Sequence, residues 1–227
     1  MKYLTILLTL LFSTVSHQLF ADELAKQNQR YSYATGIKIG QMLKGQVSGD
    51  LDIDAFSLAV GDVLRGNKPR LSNQEMQAAM TQHFKEQQAK RAELAQQNDK
   101  KGKAFLASNK LKEGITTLEN GLQYRVIKAG SGNSPAAEQT VEVHYRGRLV
   151  DGTEFDSSYS RGKPTQFNLN RVVPGFKEAL TRMKPGAKWE VFMPAELAYG
   201  KKGAGSSIGP NETLIFEIEY LRSIDQK

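Results

Sequence analysis

The hydrophobic period of this chain changes once, at Gly114, and that change limits what it can fold into. Before it, apolar residues recur at steps of three and four, which gathers them on one side of a helix; after it they alternate at steps of two, which gathers them on one face of a strand. The strand-like part contains runs at 115–118, 122–127, 141–149, 165–169, 189–193 and 214–221, with Asn120-Gly121 marking a tight turn between the first two. Residues 174–183 predict a short helix, with Pro174 at its start and Pro185-Gly186 just past its end. One helix packed on an antiparallel sheet is an α+β layer architecture.

The helical part predicts three helices. In 22–66, Tyr33, Ile37, Gly40 and Leu43 or Lys44 fall at helical spacing, and Gly36 with Gly40 forms a small-residue face that lets another helix approach closely. A second helix follows Asp52 and Asp54, with Phe56, Val60, Val63 and Leu64 as its apolar stripe and Gly66 and Pro69 ending it. Two helices this short do not bury their own apolar faces, and the economical partner is the same segment of a second chain. Ser72 and Glu75 form a capping box for a third helix of about 35 residues, which at about 1.5 Å per residue is roughly 50 Å long. Its apolar stripe runs through Met76, Met80, Phe84, Ala92 and Ala95 to Phe105 and Leu106 and is sparse beyond Phe84, so it reads as an exposed spacer with Gly102 as its weak point.

The first residues are an export address. Lys2 precedes an apolar run over 4–12, long enough for the core of a signal peptide and too short for a comfortable bilayer span, and cleavage is expected after Ala21. The chain has no cysteine, which excludes disulfides, thiolate metal sites, a Cys nucleophile and a lipid-bearing Cys. A net charge of +7 raises nucleic acid as a partner. The excess is densest at Lys85, Lys90, Arg91, Lys100, Lys101 and Lys103, interleaved with Glu86, Glu93 and Asp99, which is the pattern of a solvated helix face. No nucleic-acid partner and no membrane span are therefore expected. No His or Cys cluster has metal-ligand spacing, and the Gly-rich run 200–209 precedes a strand and not a helix carrying a phosphate-binding lysine. His83 falls on the long helix and His144 on the outward parity of its strand.

The candidate site starts at the run VHYRGRLVDGTEFDSS. Alternation turns Val141, Val143 and Tyr145 inward and Glu142, His144 and Arg146 outward. Asp151-Gly152 reverses the chain, which returns through Phe155 and Asp156, so two rings and a carboxylate converge. Singly, apolar strand residues such as Phe155 or Phe216 are core residues, and Asp156 before two serines is equally an Asx-turn. The set carries the reading.

With Tyr199 in PAELAYG and the ending GPNETLIFEIEYL, these residues resemble the FKBP-type peptidyl-prolyl cis-trans isomerases, and the helical part resembles their Mip-like (macrophage infectivity potentiator-like) bacterial subgroup. The resemblance implies an FKBP-like antiparallel sheet wrapped on one short helix over 114–227, a linker helix over 71–113, a helical dimerisation region over 22–70 and the signal peptide over 1–21. It implies a catalytic set of Tyr145, Phe155, Asp156, Tyr199 and Phe216, and a substrate-binding set of Arg161, Val172, Val173, Phe176 and Ile208. In that set the apolar side chains surround the proline ring with Phe176 at the floor, and the Tyr199 hydroxyl binds a substrate carbonyl. No cofactor is implied. The implied partners are proline-containing polypeptide clients, a second copy of the chain and a macrolide ligand. Phe176 stands where many members carry Trp and Thr165 where some carry an aromatic wall, which bears on macrolide affinity and substrate preference.

The expectation is an exported, homodimeric isomerase that assists folding in the periplasm, with outer-membrane or surface association as a variant of that placement. Since all proposed site residues follow Gly114, a fragment 114–227 is expected to fold and turn over peptides. Two other classes compete: a dimeric chaperone whose pocket grips unfolded segments with isomerisation incidental, and a basic adhesion protein binding anionic surfaces through its lysine-rich helix. Strong salt dependence marks the last.

Overall fold

The computed structural model describes residues 24–44 and 51–224. The expected leader 1–21 lies outside the described residues. The chain divides into two compact units, Met1–Asn73 and Gln74–Lys227.

The first unit contains α1 (Gln27–Lys44) and α2 (Ile53–Leu64). Asp52 caps α2 by accepting from the Ala55 amide at 2.9 Å, and Gly66 ends it at φ 73°. Asp62 is buried and holds Arg70 at 2.7 Å and Asn67 at 3.1 Å, which fixes the turn leaving α2. Apart from half-buried Leu43 and Phe56, the apolar residues of the two stripes are not covered. Tyr31, Tyr33, Ile37, Ile39, Met42, Val60, Val63 and Leu64 are all exposed, and a Cβ added at Gly36 or Gly40 meets nothing within 4 Å.

The second unit starts with the long helix α3 (Asn73–Asn109). An antiparallel sheet follows: β1 (Ile115–Thr117), β2 (Gln123–Lys128), β3 (Thr140–Leu149), β4 (Glu154–Ser157), β5 (Thr165–Asn168), β6 (Lys188–Met193) and β7 (Leu214–Ile224), with α4 (Pro174–Arg182) between β5 and β6. The strand order is β1-β2-β6-β7-β3-β4, with β5 also paired to β3. β3 therefore sits at the centre. Its full length pairs with β7, and its other edge is shared between β5 at 140–143 and β4 at 146–148.

Alternation along β3 buries Val141, Val143, Tyr145, Gly147 and Leu149, as the spacing predicts. The buried face of α4, formed by Gly175, Phe176, Ala179 and Leu180, packs on those residues together with Leu169, Met183, Trp189, Val191, Ile218 and Tyr220. β7 runs three residues beyond the expected 221, because a register shift between Glu142 and Val143 lets Arg222, Ser223 and Ile224 continue the ladder with 140–142.

Only the N-terminal half of α3 has the predicted exposed character. Met80 and Phe84 lie in the open, whereas further along the helix Asn98, Gly102 and Asn109 are buried. Phe105 rests on Phe192 with ring centroids 5.8 Å apart, and Asn109 donates to Gln123 at 3.0 Å. Gly102 is a contact and not a weak point. A Cβ there would collide with the Thr213 side chain, so glycine is what brings the helix down onto the start of β7.

Candidate active site

The hairpin at 149–154 closes as Asp151-Gly152 predicts: Gly152 takes φ 92°, its amide donates to the Leu149 carbonyl at 3.0 Å, and the Thr153 amide donates to Asp151 at 2.9 Å. In β4, Asp156 pairs with Gly147 but Glu154 pairs with Arg148, leaving Phe155 as an extra residue. This is a β-bulge. Adjacent strand residues ordinarily point to opposite faces; the bulge turns both Phe155 and Asp156 toward one cavity of ≈ 220 Å³.

That cavity is lined by Tyr145, Phe155, Asp156, Phe167, Arg171, Val172, Val173, Phe176, Tyr199 and Phe216. Phe176 is the central ring, edge-on to Phe216 at 5.3 Å, to Phe167 at 5.5 Å and to Tyr145 at 6.1 Å. Phe155 stands edge-on to Phe216 at 5.6 Å. Such edge-to-face packing matches the positive edge of one ring to the negative face of another and holds the walls in place. Gly147 makes room for them, since a Cβ there would come within 2.5 Å of Phe155 and 2.8 Å of Phe216.

One polar group closes this apolar box. The Tyr145 hydroxyl donates to Asp156 Oδ2 at 2.5 Å, while Arg161 donates from Nη1 to Asp156 Oδ1 at 2.5 Å and from Nη2 to the Tyr145 oxygen at 2.8 Å. The guanidinium also lies 5.6 Å from the centre of the Tyr145 ring. Behind the strand, buried Ser158 accepts from the Tyr145 amide at 2.8 Å and meets His144 Nδ1 at 3.0 Å, which fixes the backbone of Tyr145.

Burial alone would raise the Asp156 pKa, but the Tyr145 hydroxyl and the Arg161 guanidinium outweigh it and hold the carboxyl below its ordinary 3.8. Burial first, then donation to Asp156, pushes Tyr145 up to about 12. The site thus keeps one charge state across the neutral range. A depressed carboxylate contributes fully above its ordinary pKa and loses that contribution as pH falls through its folded value. We therefore expect the stability that Asp156 lends the fold, read as the urea midpoint against pH, to stay constant from neutral pH down to pH 3.8 and to fall only below it. An inflection near neutrality would assign control to a different group.

Of the residues expected from sequence, Tyr145, Phe155, Asp156, Val172, Val173, Phe176, Tyr199 and Phe216 line this one cavity. Arg161 stands beside it, through its bonds to Tyr145 and Asp156. Ile208 does not line it; its side chain is buried in the core, in a loop where Ala204 and Ile208 bridge antiparallel. The Tyr199 hydroxyl has no partner among the described residues, and the side chain is 40% exposed. Phe167 and Arg171 went unrecognised. Phe167 was legible, because it sits opposite inward-facing Val141 in β5 and so shares its face. Another cavity, ≈ 260 Å³, lies on the outward face of the sheet beside Phe105 and Asn109 and is lined by Arg125, Arg148 and Glu190. Its charged groups belong to a ladder in which Arg125 and Arg148 meet Glu190 at 2.6 and 3.6 Å, and it has no comparable cage of rings.

The chain has relatives among known proteins in both sequence and fold. Residues 132–221 match the family model described as FKBP-type peptidyl-prolyl cis-trans isomerase, and residues 28–126 match that of the domain amino terminal to it. The peptidyl-prolyl cis-trans isomerase Mip of Coxiella burnetii is 44% identical over 218 residues, covering 93% of each chain. The outer membrane protein MIP of Legionella longbeachae is 41% identical, covering 93% of this chain and 92% of that one. The crystal structure of FkpA from Escherichia coli is 36% identical and superposes with a TM-score of 0.61 over 87% of this chain and 97% of its own.

Proposed function

The chain belongs to the FKBP-type peptidyl-prolyl cis-trans isomerases, of the Mip and FkpA kind, and from that premise we propose that it accelerates Xaa-Pro isomerisation in exported polypeptides by taking the twisted amide into the ring-walled cavity. The observation that carries this reading is the set of six rings, Tyr145, Phe155, Phe167, Phe176, Tyr199 and Phe216, lining a space whose only carboxylate is already bonded to Tyr145 and Arg161. Rotation about the amide must cross a barrier of about 18–20 kcal/mol. At the top of that barrier the bond has lost resonance and the charge separation that water solvates. An apolar cavity therefore favours the twisted form over the planar one, and that difference is what accelerates the reaction.

No proton transfer is needed, and the site is poorly suited to one. Tyr145 keeps its proton and gives its hydrogen bond to Asp156; Asp156 stays ionised. Tyr199 is the free donor, and we assign it the substrate carbonyl on the side away from Asp156. Phe155, Val172, Val173, Phe176 and Phe216 hold the proline ring, Arg161 fixes Tyr145 and Asp156, and Ile208 acts by supporting its loop. A macrolide would compete for the same cavity, with Phe176 giving a smaller floor than Trp.

Export to the periplasm is supported by Lys2 and the apolar run at 4–12, and by the name of a relative as an outer membrane protein. Among the described residues no helix is long and apolar enough to cross a membrane. The clients are then proline-containing proteins folding in that compartment. We assign residues 22–70 to joining two chains, because α1 and α2 expose apolar stripes that association covers. On this account the mature protein sediments as a dimer at micromolar concentration. A chain lacking 22–70 turns over a short peptide at the wild-type rate but loses much of its effect on refolding of a large client, since two tethered cavities raise the effective concentration for a client with several binding segments. A monomeric mature chain, or equal client refolding without 22–70, would remove the avidity reading.

A further inference from the structure

The loop that carries Tyr199 is held from outside by α3. Its ends are tied together, the Asn211 amide donating to the Gly200 carbonyl at 2.9 Å, and its tip is closed by the Ala204–Ile208 pair at 2.9 and 3.1 Å. Three further hydrogen bonds join the loop to one face of the helix. Arg91 donates to the Lys202 carbonyl at 2.5 Å, Asn98 donates to the Pro210 carbonyl at 2.9 Å, and the Ala95 carbonyl accepts from Asn211 at 3.2 Å. Gly102 completes the row against Thr213. Residues 91, 95, 98 and 102 are spaced by four, three and four, which puts them on a single helical face. Asn98 is 7% exposed, and a Cβ on Gly209 would come within 3.1 Å of its amide nitrogen, so the carboxamide has little room for another pose.

We propose that Asn98 is a positioning residue for the isomerase reaction, and that α3 from Arg91 to Gly102 is part of the catalytic domain because it sets the loop bearing Tyr199. The proposal rests on the reading of the ring-walled cavity as the substrate site. A backbone carbonyl in a loop is fixed only by the donors that reach it. Asn98 supplies one from an element that touches no substrate. Loosening the loop moves Tyr199, which contacts the substrate in the planar and twisted forms alike, so the loss falls on binding more than on turnover.

The test uses the full mature chain with Asn98→Ala, and Gln97→Ala on the exposed neighbouring position as control. Both are assayed by steady-state kinetics on a Xaa-Pro peptide and by amide hydrogen exchange. Loss of one hydrogen bond predicts a KM raised about three- to tenfold in Asn98→Ala with kcat within about twofold of wild type. The Ala204 and Ile208 amides should exchange faster while those of β3 keep wild-type protection, and Gln97→Ala should match wild type throughout. Unchanged KM in Asn98→Ala would overturn the proposal, as would a loss accompanied by equally faster exchange along β3 and β7, which marks a general loss of stability. A wild-type chain active on the peptide beside an equally active Asn98→Ala removes this inference alone; an inactive wild-type chain removes the reading of the cavity as well.

Discussion

A fragment beginning at Gly114 is expected to unfold about 3–6 kcal/mol more easily than one beginning at Gln88, although both contain every residue of the ring-walled cavity. Removing the C-terminal half of α3 uncovers Phe192, now 5% exposed beneath Phe105, and uncovering a buried aromatic side chain costs about 1.5–3 kcal/mol. The bonds from Arg91 to Lys202, Asn98 to Pro210, Asn109 to Gln123 and Gln123 to the Leu106 carbonyl are lost with it. Each contributes about 0.5–1.5 kcal/mol when its partners pass to water, and the mutual overlap of such terms keeps the total below their sum. Against a typical stability of about 5–15 kcal/mol, that is a large fraction. Equilibrium urea denaturation of the two fragments decides it. Superimposable transitions would show that the helix contacts contribute nothing and would support the boundary expected at Gly114.

The second large effect is on chemistry. Phe155→Ala should lower kcat/KM by about 10- to 100-fold, a loss of about 1.4–2.7 kcal/mol in transition-state stabilisation, while leaving the fold intact. The bulge that turns Phe155 into the cavity places its ring edge-on to Phe216 at one wall, so truncation opens that wall to water. Water solvates the planar amide better than the twisted one, and the advantage of the apolar site shrinks accordingly. Tyr199→Phe removes a single hydrogen bond and should cost only about two- to twelvefold. A folded Phe155→Ala protein with wild-type activity would move the reaction elsewhere.

Much of this arrangement is legible in the residues. Strict alternation through Val141, Val143 and Tyr145 gave the inward face of β3, and Asp151-Gly152 gave the hairpin that returns Phe155 and Asp156. Alternation alone would have sent those two to opposite sides. Only the two-for-one pairing opposite Gly147 and Arg148 brings them together, and a bulge leaves no mark in a hydrophobic pattern.

The docking of α3 was hidden for a different reason. The face it turns to the loop and sheet is Arg91, Ala95, Asn98, Gly102, Phe105 and Asn109, of which Asn98, Gly102 and Asn109 are buried; this row at steps of three and four is polar or small except for one ring, so an apolar stripe was the wrong signal to seek. The sheet held a better one. In β6 the run from Val191 to Met193 is buried on consecutive residues, and Phe192 at the outward parity opposite Ile215 is an apolar side chain that some other element has to cover.

A cavity that isomerises Xaa-Pro bonds by excluding water needs neither a cofactor nor a proton transfer. Exchange NMR on a short Xaa-Pro peptide, with catalytic amounts of the mature chain in light and then heavy water, tests it most directly. The uncatalysed exchange takes tens to hundreds of seconds. Exchange should be at least about tenfold faster with protein present, nearly the same in the two solvents, and stripped of most of its acceleration by Phe155→Ala. Exchange at the uncatalysed rate would contradict the claim, and so would acceleration that slows severalfold in heavy water, which would mean that a proton moves in the rate-limiting step.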